Sequence, residues 1–166
     1  MSYVCQCCGQ RFDGLPLDFV GEAPWRNMGV SDDEFDARVL LEKSLCVVDG
    51  VFFFVRGHIR LPILGTDDVF VWSVWCSLSN DSFRHLYEHW DDSDRAGDTY
   101  FGWLCTVLPC YEATTWNLKT NVRSRNNDLV PLIEIQPVDH PIYQEQQEGI
   151  TVEQWHSIAH QLLHVR

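Results

Sequence analysis

The segment Val69–Cys76 constrains the fold of this chain more than any other part of the sequence. It reads Val-Phe-Val-Trp-Ser-Val-Trp-Cys and is apolar at both its odd and its even positions. A strand with one solvated face would alternate apolar with polar residues, so this pattern predicts a central strand that is covered on both faces. The chain has 166 residues, of which 45% are hydrophobic, and this is enough to bury such a strand within one domain.

The flanking segments predict a sheet with a few helices around it. The tight turn Asp49-Gly50 joins two apolar runs, 45–48 and 51–61, and further strands are predicted over 99–106, 118–125 and 130–136. Capping residues predict helices over 32–43, after Ser79 and over 152–163. We therefore predict an α+β fold with an antiparallel β-sheet and three to four helices. A single domain would span 1–166, with a knuckle and arm (1–20), a helix-and-sheet body (21–138) and a C-terminal helical segment (139–166).

The charge of the chain narrows the classes of partner. There are 24 acidic and 12 basic residues, which gives a net charge of −12. Nucleic acid and anionic membrane surfaces would repel such a chain, whereas a basic protein or a bound cation would suit it, and solubility alone is an equally good explanation. The N-terminus lacks the features of a signal peptide, and the longest apolar runs are too short to span a bilayer, so we expect a cytoplasmic protein. Its seven cysteines should then be reduced thiols.

The N-terminal sequence Cys5-Gln6-Cys7-Cys8-Gly9 predicts half of a metal site. Cys5 and Cys8 have the Cys-x-x-Cys-Gly spacing that directs two thiolates at one zinc ion, with Cys7 as a spare. Structural zinc takes four ligands, and no second Cys-x-x-Cys follows. The remaining ligands would have to come from a later cysteine or from any of the seven histidines. The sequence therefore does not require a cofactor, and zinc is the one candidate. The alternative is a turn that binds no metal.

Histidines on the C-terminal helix form a second candidate for metal. His156, His160 and His164 follow one another at intervals of four residues, which stacks them on one helix face. They also border the apolar face of that helix, where histidines commonly mark an amphipathic boundary. His85 and His89 have the same spacing.

One histidine is a candidate for catalysis. In Asp139-His140-Pro141 a carboxylate precedes an imidazole that it could orient. The alternative is that this segment caps the turn that follows. Because no complete catalytic motif is present, whether the chain is an enzyme stays uncertain, and we expect that it is not.

An acidic loop with aromatic neighbours is the candidate binding surface. Clustered acids beside large aromatic side chains would suit a basic protein partner. The alternative is a solvated loop. The candidate residues are Asp91, Asp92, Asp94, Asp98, Trp90, Tyr100 and Trp103.

Several motifs resemble those of a known bacterial family. They are the Cys-x-x-Cys-Gly knuckle, Gly14-Leu15-Pro16, Phe101-Gly102-Trp103-Leu104 and Asp139-His140-Pro141, in collinear order. Together they resemble an uncharacterised family catalogued as a domain of unknown function (DUF2199-like). The resemblance implies a single-domain bacterial protein without an established activity. It also implies that relatives often carry a His at the position of Phe12, which would complete a Cys-Cys-His set that Phe12 cannot supply.

Three functions remain open from the sequence. The first is a non-catalytic acidic protein that binds and masks a basic partner, as immunity proteins mask toxins. The second is a zinc-stabilised structural or regulatory module that uses Cys5 and Cys8. The third is an enzyme built around His140 or a cysteine. Of these, we expect the partner-binding protein.

Overall fold

Strands dominate the part of the chain that the computed structural model describes, residues 2–5, 8–126 and 129–164. The strands are β1 (Tyr3–Val4), β2 (Arg11–Phe12), β3 (Asp18–Val20), β4 (Val39–Glu42), β5 (Leu45–Val48), β6 (Phe52–Pro62), β7 (Val69–Leu78), β8 (Thr99–Leu104), β9 (Lys119–Arg123) and β10 (Leu132–Ile135). The helices are α1 (Phe35–Arg38), α2 (Asn80–Glu88), α3 (Pro141–Glu148) and α4 (Val152–His164), with short 3₁₀ turns at Pro24–Asn27 and Asp32–Glu34.

Five of these strands close into a barrel. Around the barrel the order is β6-β7-β8-β9-β10, and β10 returns to pair with β6. The long strands β6 and β7 pair antiparallel over nearly their whole length, from Phe53 opposite Leu78 to Pro62 opposite Val69. Each of these two strands also pairs with two further strands along its other edge. β6 pairs with β5 and β10, and β7 pairs with β3 and β8. The strands β3, β4 and β5 extend the sheet beyond the barrel.

The predicted α+β fold with an antiparallel sheet is therefore wrong. The sheet is closed over five of its eight strands, and two of its pairings, β6 with β10 and β3 with β7, are parallel. The helices are short, so the fold is mostly β. The error has a physical cause: alternation predicts that a segment is a strand, whereas closure depends on which distant strands pair, and that information is not local.

The interior of the barrel is the main core. The inward side chains of β7 are Phe70, Trp72, Val74 and Cys76, all of which are completely buried. The ring of Trp72 packs edge-on against those of Phe70 and Phe19, with centroids 4.7 and 5.5 Å apart. Truncating such an indole would cost about 3–5 kcal/mol of stability.

A second, smaller core covers the outer face of β7, as the sequence of this strand predicts. Trp75 is 3% exposed and packs in a cluster with Trp25, Cys46, Val48 and Phe54. This cluster lies between the barrel and the 3₁₀ turn Pro24–Asn27. The prediction of a central strand with two covered faces is confirmed.

Other local predictions have mixed outcomes. The strands on either side of Asp49-Gly50 are confirmed, and both turn residues have positive φ, 54° and 68°. Ser79 caps α2 by accepting a hydrogen bond from the Ser82 N–H, and Thr151 and Gln154 form a reciprocal capping box on α4. The helix predicted over 32–43 begins at Asp32, as a 3₁₀ turn that continues into α1, but its predicted end is wrong. It ends at Arg38, because Val39 turns into β4 and pairs with Val48.

The described residues contain no helix that combines the length and the apolar character needed to cross a bilayer.

Candidate functional sites

Cys5 and Cys8 of the N-terminal Cys-x-x-Cys motif lie between the two strands of a small hairpin. Strands β1 and β2 pair antiparallel on either side of this motif. The Cys5 N–H donates to the Gln10 carbonyl at 2.9 Å, and the Cys5 carbonyl accepts from the Gly9 N–H at 2.8 Å. Gly9 has a φ of +71°, a conformation that favours glycine, which explains its place in the motif. The turn leaves Cys5 buried and Cys8 exposed. Cys7 lies outside the described residues.

The C-terminal helix α4 packs beside this knuckle. Ile158 and Ala159 are buried against the body of the protein. The Trp155 indole N–H donates to the Pro16 carbonyl at 3.0 Å, so the helix is also attached to the N-terminal arm. This docking directs the last turn of α4 at the two cysteines.

Cys5, Cys8 and His164 form a group that can hold a metal ion. The ligand atoms of the three residues all lie within 4.8 Å of one another. The Nε2 atom of His164 is 2.9 Å from Cys5 Sγ and 3.9 Å from Cys8 Sγ. Sulfur and nitrogen ligands of one tetrahedral zinc are about 3.6 Å apart, given bonds of about 2.3 and 2.0–2.1 Å. The observed spacings bracket that value.

His160 stands next to this group, one turn earlier on α4. Its Nδ1 is 3.5 Å from Cys5 Sγ, and its ring centroid is 4.6 Å from that of His164. Two thiolates and two imidazoles are a ligand set typical of structural zinc. The site therefore joins two motifs that the sequence presented separately. Their connection could have been suspected from the four-residue spacing of the histidines, but nothing in the sequence paired that helix with the knuckle.

His140 is occupied by structural hydrogen bonds. The residue is 5% exposed, and it is the N-cap of α3, where its Nδ1 accepts a hydrogen bond from the Ile142 N–H. Its Nε2 lies 2.9 Å from the Ala113 carbonyl, to which it donates. Both ring nitrogens are thus engaged with backbone groups, which leaves neither nitrogen for a substrate in this conformation. The sequence-based alternative of a cap fits this geometry.

Burial opposes ionisation of three cysteine thiols in the body of the protein. Burial raises the pKa of Cys46 to about 11, that of Cys76 to about 12 and that of Cys110 to about 11. At neutral pH these groups are thiols, whereas nucleophilic cysteines need a depressed pKa.

The acidic loop is built around a buried arginine. Arg95 is 3% exposed and donates to four backbone carbonyls, those of Trp90, Arg125, Asn126 and Leu129. Its guanidinium also lies over the Trp90 ring, 4.7 Å from the centroid. Asp91, Asp92 and Asp94 are exposed around it, and Asp98 is half-buried.

The aromatic residues predicted to accompany this loop divide between core and surface. Tyr100 is 8% exposed, and its hydroxyl lies 2.7 Å from His85 Nδ1. Trp103 is 41% exposed but lies at the other end of β8, about 13 Å from the loop at the usual rise per residue. The predicted residues therefore do not form one continuous face.

Trp103 instead lines an apolar groove that sequence reasoning missed. The groove has a volume of about 580 Å³, and the described residues of its walls carry no charged side chain. Phe52 and Trp116, which are 49% and 46% exposed, lie in it with Trp103. The sequence offers only a weak signal for it, because Phe52 sits in an apolar run that also predicts core.

Taken together, the fold and the site define a small closed β-barrel with a candidate cysteine–histidine metal centre. The model of the family described as "uncharacterized protein conserved in bacteria (DUF2199)" matches residues 4–150, and the chain belongs to this family. The resemblance noted from the motifs is thereby confirmed. No curated protein and no solved structure matches the chain. The matched residues include Cys5 and Cys8 but end before His160 and His164 on α4.

Proposed function

We propose that this protein is a zinc-binding module in which one metal ion fastens the N-terminal knuckle to the C-terminal helix. The observation that carries the proposal is the convergence of Cys5, Cys8 and His164 within 4.8 Å. His160 is the fourth ligand in this proposal, since its Nδ1 is already 3.5 Å from Cys5 Sγ. With four protein ligands the site would be closed, which is typical of structural rather than catalytic zinc.

The proposed role of the ion is to hold α4 against the barrel. Cys8 and His164 are exposed, so an ion can reach them, whereas Cys5 is buried and gives the site a rigid base. Metal binding requires both thiols to lose their protons, so the affinity should increase with pH. Relatives that have a His at the position of Phe12, as the resemblance implies, would draw a ligand from the hairpin. In this chain the corresponding ligand would come from α4.

Metal content tests this proposal directly. Untagged protein purified without chelators should contain one zinc per chain by mass spectrometry of the metal. Cys8→Ser and His164→Gln should lose it. Cys105→Ser is the matched control, because Cys105 lies outside the group and its thiol donates to the Trp103 carbonyl. Wild-type protein that contains no zinc and takes up neither zinc nor cobalt would refute the proposal.

A second function, binding of a basic protein partner, is favoured by the apolar groove. Exposed aromatic side chains in a concave surface are typical anchors of protein interfaces. The net charge of −12 makes a basic protein the complementary partner, of the kind that immunity proteins mask. In this proposal an apolar side chain of the partner inserts between Trp103 and Trp116, and the acidic surface accelerates the encounter.

Variants of the groove test the partner-binding proposal. A basic protein captured from the lysate of the source bacterium should dissociate as salt increases, and Trp103→Ala/Trp116→Ala should abolish its capture. Leu40→Ala, at a residue that is 70% exposed and lies outside the groove, is the control. Asp91→Asn/Asp92→Asn/Asp94→Asn tests the acidic loop separately. Capture that survives the double tryptophan variant would show that the groove is not the interface.

A further inference from the structure

The outer face of β6 carries a cluster of basic side chains, although the chain as a whole is strongly acidic. Arg56, His58 and Arg60 alternate along this strand with the buried residues Gly57 and Ile59. Alternation places the three side chains on one face of the sheet. Arg125, which follows β9, reaches the same face, and its Nη2 lies 3.4 Å from His58 Nδ1.

The arginines of this cluster have no acidic partners among the described residues. The ion pairs found among those residues include none of Arg56, Arg60 and Arg125. Arg56 is half-buried and reaches the hydroxyls of Ser73 and Ser44, at 3.3 and 3.2 Å, and its Nε is buried without a hydrogen-bond partner among the described residues. The Arg56 guanidinium is thus held by two neutral hydroxyls, and no described carboxylate forms an ion pair with it.

The electrostatics of the cluster also favour an anion. Burial lowers the pKa of His58, and Arg125, Arg56 and Arg60 lower it further, while Asp18 on β3 acts weakly in the opposite direction. Burial and Arg60 lower the pKa of Arg125. The three arginines disfavour a positive charge on His58, and an anion bound between them would offset this effect.

We propose that Arg56, His58, Arg60 and Arg125 form a binding site for a phosphate group. Guanidinium groups bind phosphate through paired, charge-assisted hydrogen bonds. Three arginines and a histidine also match the charge of a dianion better than that of a carboxylate, which carries a single negative charge. The phosphate group belongs either to inorganic phosphate or to a small phosphomonoester, which share this chemistry. The site is independent of the metal centre, because it uses none of the same residues.

Binding can be measured by calorimetry with three ligands, inorganic phosphate, AMP and acetate, at constant ionic strength. We expect saturable binding of a phosphate compound and weaker or no binding of acetate. Stronger binding of AMP would identify a phosphomonoester as the ligand, and stronger binding of inorganic phosphate would identify the free ion. Both results would support the site. Failure of both phosphate compounds to bind saturably would overturn it.

Variants localise the binding to this cluster. Arg60→Gln and Arg125→Gln should each weaken phosphate binding by about tenfold or more, as expected for loss of a charge-assisted pair. Arg60 is exposed, so its replacement is not expected to disturb folding even if that of Arg125 does. Arg123→Gln is the matched control, because Arg123 precedes Arg125 by two positions in the chain and forms an ion pair with Glu134. Equal affinities in Arg60→Gln and wild type would contradict the assignment.

The titration of His58 gives an independent readout. Phosphate should raise the pKa of His58, because the bound anion stabilises the imidazolium, and the shift should be visible in NMR spectra of the histidine rings. The charged groups that face His58 are Arg56 and Arg60 on its own strand, Arg125 after β9 and Asp18 on β3. An unchanged pKa at saturating phosphate would place the anion elsewhere.

Discussion

The Sγ of Cys5 lies 2.9 Å from the Nε2 of His164, although 159 positions separate the two residues in the chain. This contact connects the hairpin that carries the knuckle to the last turn of α4. The helix is also attached through Trp155 and Pro16, so the contact closes on a helix that is already in place. The arrangement predicts that a metal ion bound at this site would act on the local stability of α4 rather than on the barrel.

Removal of metal should accelerate hydrogen exchange in α4. An ion that binds only the folded site stabilises it by about 4 kcal/mol when free metal exceeds Kd by about 1,000-fold, which slows exchange through local opening by a similar factor. Amide exchange over Val152–His164, measured with and without a chelator, would show this. Amides of β7 should exchange equally slowly in both states. Cys8→Ser should behave like chelated wild type, and identical exchange of α4 with and without metal would contradict the prediction.

Replacement of His140 should reduce stability. His140→Ala removes the acceptor for the Ile142 N–H and the donor to the Ala113 carbonyl, both in a buried region. We expect a loss of about 1–3 kcal/mol in the free energy of unfolding, measured with urea. His140→Asn, which can still cap α3, should recover part of it. Wild-type stability in His140→Ala would show that these bonds contribute nothing.

Gly57→Ala should destabilise the barrel. A Cβ at Gly57 would lie 2.6 Å from Ile133 Cδ1 and 2.7 Å from the Pro131 carbonyl oxygen, where β6 and β10 meet. Such overpacking costs about 1–3 kcal/mol. Combination with Ile133→Val removes one of the clashing atoms, so the double variant should be more stable than the sum of the single effects predicts. Urea unfolding of all four proteins tests this, and simple additivity would argue against contact at this position.

Two histidines should have pKa values on opposite sides of the ordinary histidine value. A hydrogen bond to Asp92 raises the pKa of exposed His89, so its contribution to stability is complete below pH 6.5 and disappears as pH rises through the folded-state pKa. Burial and neighbouring arginines lower the pKa of His58. As pH falls below 6.5, the His58 imidazole therefore becomes protonated in the unfolded chain before it does in the folded protein. The free energy of unfolding decreases over this range, until pH passes the folded-state pKa.

NMR titration of the histidine rings measures both values. Asp92→Asn should return the pKa of His89 towards its ordinary value and leave that of His58 unchanged. Arg125→Gln should raise the pKa of His58 and leave that of His89 unchanged. If each variant shifted both rings alike, Asp92 and Arg125 would not be the local causes of the two pKa shifts.

The apolar groove was the feature least accessible to sequence reasoning. The sequence predicts Trp103 beside the acidic loop, yet alternation along β8 directs it outward at the far end of the strand, into a groove with Phe52 and Trp116. Tyr100, on the inward face of the same strand, is core. Because the seven tryptophans and the other large aromatic residues suit a core and an interface equally well, only their placement on the barrel separates the two roles.

The sequence by itself determined the features that depend on neighbouring residues. These include the apolar strand β7, the Asp49-Gly50 turn, the caps of α2 and α4, and the pair Cys5 and Cys8, since each depends on residues within a few positions of one another. The tertiary structure decided how β6 and β10 close the barrel and which helix brings His164 to the knuckle. Both depend on contacts between distant segments, which form only when the whole hydrophobic core assembles, and no local pattern specifies them.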